Sequence, residues 1–195
     1  FTLIELLIVV AIIGILAAIA VPNFMNAQTR AMIARVRADV KSLTTALEQY
    51  RMDRNTYPID WGGPVVEDRS WAQLTTPVAY ISSTSICKDP FTDSLAGAIG
   101  GSHAGHRVYY DYGGGVWHGS LNEGDARRQL YEEKSRVGFI ILSFGPNKSR
   151  EFPWGSQNVI NIGQRNPSGM RYVYDASNGI KSPGDIMATR SGPIQ

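Results

Sequence analysis

Glu5 is the one ionisable side chain between Phe1 and Val21, in the run FTLIELLIVVAIIGILAAIAV. A carboxylate among apolar neighbours needs a local donor or a positive partner, because an uncompensated charge in such a setting is expensive. Thr2 offers the local solution. Thr2 and Glu5 have the T-x-x-E spacing of a capping box, in which both side chains satisfy backbone donors at a helix start. The nearest positive group in the chain is the amino group of Phe1. If many copies packed side by side, the Glu5 of one would meet the N-terminus of another. The other chemistry-bearing residues form no catalytic set. His103 and His106 have H-x-x-H spacing and His118 follows, but they lie in a glycine-rich stretch with no fourth ligand, so they read as surface loop and not as zinc ligands. Gly113-Gly114-Gly115 lacks the spacing of a phosphate-binding loop and the Lys-Ser or Lys-Thr pair that follows one. Cys87 is the single cysteine, which excludes an intrachain disulfide and reads as a small buried or partly exposed residue. The aromatic residues read as core. No enzyme is expected.

The elements that must position Glu5 follow from periodicity. The 16 residues after Glu5, Leu6 to Val21, contain nothing polar. A helix of about 20 residues spans roughly the 30 Å hydrocarbon layer of a bilayer. A secretory signal peptide has a basic n-region and a shorter apolar core. Here the run opens without basic residues and continues into a helical pattern, so it reads as a retained helix. Pro22 removes one backbone bond and Gly14 is a second weak point, so residues 14–22 are the part most easily kinked. Beyond them, Ile33, Val36, Val40, Leu43, Leu47 and Tyr50 recur in steps of three and four. That stripe predicts one long helix over residues 2–54 with its apolar face under a head. Tyr57-Pro58 closes the helix, since a residue preceding proline disfavours the helical region.

Charge divides the chain the same way. Residues 1–22 carry one acid and no base, residues 23–54 six bases and three acids, and residues 55–195 thirteen of each sign. A net charge of +2 with the excess confined to the middle segment does not suggest a nucleic-acid site. Three parts are expected: a membrane-spanning half-helix at 1–25, an amphipathic half-helix at 26–54 and a head at 55–195. In the head, residues 70–74 read as a short helix and residues 108–112, 137–144, 159–162 and 172–175 as strands. Short strands after one long helix indicate an α+β fold with a small antiparallel sheet.

FTLIELLIVVAIIGILAAIAVPNF resembles the mature N-terminus of type IV pilins and type II secretion pseudopilins. The head adds Tyr57-Pro58, Lys88-Asp89-Pro90-Phe91, Ser143-Phe144-Gly145-Pro146-Asn147, Asn178-Gly179 and Gly184-Asp185-Ile186, similar in order to the segments of major pseudopilins. Two departures stand out. Asn147-Lys148 replaces the Asp-Gly of that family, and about 30 residues separate it from Gly184-Asp185-Ile186. The resemblance implies a pilin-like fold and a helical filament built from self-association. The working chemistry would be burial between helices, with Glu5 pairing to a neighbour's Phe1 and the helix loosening at Gly14 to Pro22. It implies that a prepilin peptidase cleaves before Phe1 and methylates its amine. It further implies residence in a bacterial inner membrane, in contact with lipid, before an assembly platform delivers the subunit to a periplasmic or extracellular filament. Major pseudopilins clamp their C-terminal loops with calcium, which takes six to eight oxygens on flexible loops. The corresponding donors here would be the Leu142 carbonyl, Asn147, Asp175, Asn178 and Asp185, with Ser143 beside them. The alternative for the same residues is an Asx-turn and a plain Asn-Gly hairpin. Within the family the rival function is a type IV pilin for adhesion, motility or DNA uptake. Outside it the rival is a membrane-anchored enzyme or binding domain.

Overall fold

A computed structural model describes residues 2–59, 67–92, 109–114, 138–149, 173–180, 182–190 and 192–194. Phe1, His103, His106, His118, Gly115 and the expected strand at 159–162 lie outside the described residues. The chain begins with one helix, α1 (Leu3–Arg54), 52 residues long. Thr2 caps it in extended conformation, and its end is set by Asn55, which adopts the left-handed region and donates its N–H to the Arg51 carbonyl at 2.8 Å. So a left-handed cap stops the helix three residues before Pro58. The helix runs unbroken through Gly14 and Pro22.

Its two halves meet different surroundings. Every residue from Thr2 to Gln28 is exposed. From Ile33 onward the apolar stripe is covered: Ile33, Val36, Val40, Leu43, Ala46 and Leu47 are buried, and Tyr50 is partly so. Fully burying a Val or Leu side chain contributes roughly 1.5–3 kcal/mol, so this stripe holds the head to the helix.

The head opens with α2 (Glu67–Ala72) and a 3₁₀ turn at Thr84–Cys87. Four strands follow: β1 (Asp111–Gly114), β2 (Phe139–Ser143), β3 (Ile186–Thr189) and β4 (Gly192–Ile194). They form one antiparallel sheet in the order β1-β2-β3-β4. The register pairs Asp111 with Leu142, Ser143 with Ile186 and Met187 with Ile194. All five residues of β2 are buried. Phe139 and Ile141 join the cluster on α1 together with Trp71, Phe91, Tyr110 and Tyr112. These aromatic residues are thus core. Their polar ends are satisfied: Trp71 Nε1 donates to the Tyr110 carbonyl at 3.1 Å and Tyr112 Oη to the Pro58 carbonyl at 3.1 Å. Cys87 is fully buried.

Two strand expectations need correction. Of the expected strand at 108–112, β1 takes in Asp111 and Tyr112, while Tyr109 and Tyr110 pair with the 3₁₀ turn instead: Tyr109 bridges Lys88 and the Tyr110 N–H donates to the Cys87 carbonyl at 2.7 Å. Val173 to Asp175, the described part of the expected strand at 172–175, form no strand either. Val173 makes one parallel bridge to Asp185, after which Asp175 caps a 3₁₀ turn at Ala176–Asn178.

Candidate functional site

At the N-terminus both halves of the capping box are formed. The Thr2 N–H donates to Glu5 Oε2 at 2.7 Å, and the Glu5 N–H donates to Thr2 Oγ1 at 3.4 Å. In the single chain, then, Glu5 folds back over its own helix start. Phe1, its expected partner across subunits, lies outside the described residues. Around this cap the surface is apolar: Leu3, Ile4, Leu6, Leu7, Ile8, Val9 and Val10 all face outward, Leu7 with 59% of its surface exposed. By length and composition α1 is able to cross a membrane.

At the far end of the sheet, three segments named for calcium do meet. The turn after β2 holds Gly145 against Gly184, and Gly184 in turn lies against Val173 and Tyr174. A Cβ on Gly145 would stand 2.8 Å from the Gly184 carbonyl oxygen, and one on Gly184 2.6 Å from the Tyr174 nitrogen. Only glycine permits that approach, and both adopt positive φ. The Tyr174 N–H donates to the Asp185 carbonyl at 2.9 Å, and the Asp185 side chain is wholly buried at this junction. Two of the other named donors act locally. Asp175 Oδ1 accepts from the Ser177 N–H at 2.9 Å, and Asn147 Oδ1 from the Ser149 N–H at 3.3 Å. Both are Asx-turn geometries. Leu142 sits in a central strand, paired on both sides, which directs its carbonyl to the ladder. The donors are all oxygens, the type calcium takes, and the segments that carry them converge. Among the described residues no three His, Cys, Asp or Glu side chains group to hold a metal.

Asp89 is the residue that pattern reading missed. It is 4% exposed, yet it accepts the Phe91 N–H at 2.9 Å through Oδ1 and the Phe144 N–H at 3.2 Å through Oδ2. Ser143 donates a third hydrogen bond to it. One carboxylate thereby ties the Lys88–Phe91 turn to the end of β2. Burial pushes its carboxyl up to about 6, against the opposing pull of these donors. Tyr110, nearby, hydrogen-bonds Asp39 on α1 at 3.1 Å, and its hydroxyl is raised by burial first and by the Asp39 and Asp89 charges next.

Comparison with known proteins gives two family matches. Residues 1–21 match the prokaryotic N-terminal methylation motif, and residues 23–115 match type II secretion system protein G. Over these stretches the chain is similar to type IV pilins and pseudopilins. Relatives of this pilin-like chain include the type II secretion system core protein G of Pseudomonas aeruginosa, 43% identical over 58 residues, which is 30% of this chain and 41% of that protein. The type IV major pilin protein PilA of Myxococcus xanthus is 51% identical over 57 residues, 29% of this chain and 26% of that protein. The type IV major fimbrial protein FimA of Dichelobacter nodosus is 53% identical over 53 residues, 27% of this chain and 34% of that protein. The matched stretches span less than half the length of these relatives. No solved structure matches. The pilin fold is present in full outline: a long N-terminal helix whose second half carries a small antiparallel sheet.

Proposed function

We propose that this chain is a structural subunit of a helical type IV pilus-like filament, most like a type II secretion major pseudopilin. The observation that carries the reading is the split along α1. One half buries a stripe under a folded head, while the other presents bare apolar surface from Leu3 to Met25 on the same continuous helix. Such a surface needs lipid or other copies of itself to cover it. The match to protein G continues to residue 115, well into the head, which favours the pseudopilus over a pilus for adhesion, motility or DNA uptake. The subunit would wait in the inner membrane as a single-pass protein after a prepilin peptidase has processed Phe1. An assembly platform would then move it into a filament on the outer side of that membrane. No catalytic step is assigned to the head.

Within the filament, Glu5 leaves its own cap and pairs with a neighbour's Phe1 amine, and the helix loosens between Gly14 and Pro22. Pro22 already lacks one backbone donor inside α1, so loosening there costs less than elsewhere. A calcium ion held by Asp175 and Asp185 with neutral oxygens from Asn147 and Asn178 would brace the C-terminal loops, with the Leu142 carbonyl contributing only through a lone pair that its ladder bond leaves open. The meeting of their three segments supports it. Glu5→Ala tests the assembly reading. The variant should insert and keep a folded head, because only the cap and no core contact is removed, yet its filament yield should fall sharply. Wild-type filament numbers from Glu5→Ala would refute the pairing.

A further inference from the structure

The head does not begin where the apolar half of α1 ends. Phe24 and Met25 are the last exposed large apolar residues of that half, and Ile33 is the first buried residue under the head. Between them Asn26 to Met32 form a neck with no buried residue. Leu3 to Val21 covers about 27 Å at 1.5 Å per residue, close to the hydrocarbon thickness of a bilayer. Phe24 then falls at the boundary, where aromatic side chains favour the interface. The neck rises roughly 10 Å above that boundary, which is the depth of the headgroup layer and a little beyond.

One cation lies in the neck. Arg30 is exposed, and no acidic side chain among the described residues pairs with it. Arg35, the next one up, is engaged by Asp39 at 3.5 Å. Arg37 and Lys41 share the face of Arg30 on the helical wheel, but they stand about 10 and 16 Å higher along the axis, above the headgroups. Helical side chains lean toward the N-terminus, so a long side chain at position 30 reaches back toward the membrane. Its stem can lie along the neck while the guanidinium meets a phosphate bidentately.

We propose that Arg30 docks on the phosphate of an anionic phospholipid in the outer leaflet, fixing the depth at which the unassembled subunit rests. This rests on the membrane-spanning reading above. It adds that extraction into a filament must break a headgroup contact as well as strip lipid from the apolar half.

The test uses the full chain reconstituted in vesicles of phosphatidylcholine with and without phosphatidylglycerol, then taken into native mass spectrometry to count retained lipids. Arg30→Gln should reduce retained phosphatidylglycerol about fivefold, the effect of one basic residue near an anionic surface. Arg37→Gln and Lys41→Gln should leave it unchanged. Equal retention by wild type and Arg30→Gln overturns the proposal, as does an equal loss from Arg37→Gln, which would mean unspecific charge attraction. Normal lipid retention by Arg30→Gln with loss of filaments also overturns it, and assigns Arg30 to a contact between copies. A wild-type chain that alkaline washing strips from the vesicles refutes the membrane reading itself, which separates that failure from a failure at Arg30.

Discussion

Asp89 buries a charge that the head must offset. Its carboxyl titrates near pH 6 in the folded head against 3.8 as its ordinary value, because burial disfavours the ionised form. Between about pH 4 and pH 6 the folded state therefore holds more protons than the unfolded state. Stability from this group is fully present below pH 4 and is lost as pH rises through 6, by about 3 kcal/mol in all. The variant Asp89→Asn cannot titrate. It also turns an amide N–H toward one of the two backbone donors at Phe91 and Phe144, leaving that donor unsatisfied. Unfolding of residues 26–195 followed from pH 7 to pH 4 should show the wild type gaining on Asp89→Asn as the pH falls. A gap that stays flat, or that narrows in acid, would show that the donors win over burial. Nothing local announces this role. Lys88-Asp89-Pro90-Phe91 is recognisable as a segment, but the partner that explains Asp89 is Phe144, 55 residues away. Thr2 and Glu5 are the opposite case, since a spacing of three suffices to read their cap.

Among the elements, α1 was the most legible. Its apolar steps of three and four name the buried face, and the structure buries Ile33, Val36, Val40, Leu43 and Leu47 along it. The helix covers Leu3–Arg54 against an expected 2–54. The strands at the C-terminus were not legible, because β3 is the short run Ile-Met-Ala-Thr and β4 contains a proline. Their existence depends on pairing with β2 and beyond, not on any periodicity of their own. The junction they close depends on Gly184. At φ +125 with Val173 and Tyr174 within 2.7 Å of a would-be Cβ, Gly184→Ala meets both backbone strain and collision. It should destabilise the head by about 3 kcal/mol or more. Gly179 also has positive φ, but nothing lies within 4 Å of its would-be Cβ. Gly179→Ala should therefore cost only about 1 kcal/mol. Equal losses in thermal unfolding of the two variants would mean that backbone strain alone governs and that the close approach is unimportant.

At the scale of the whole molecule the head lacks any disulfide, and its loops close on one another through glycines and Asx-turns. Ordering such loops is costly in conformational entropy. An ion that binds only the native arrangement would offset part of that cost by mass action, about 3 kcal/mol at a hundredfold excess over its dissociation constant. Thermal unfolding of residues 26–195 should then move to higher temperature with calcium and return with a chelator. An unchanged transition would leave the Asx-turns of Asp175 and Asn147 as the whole explanation of these loops. The same head grips α1 along a narrow line, the buried positions from Ile33 to Leu47, about 21 Å measured along the axis. A pull on the helix along its own axis loads that line in shear, so its contacts must give way together. A force lifting the head sideways peels them one after another. The molecule is therefore mechanically anisotropic: stiff along the helix axis, the direction in which the proposed filament would push or be pushed, and weak across it.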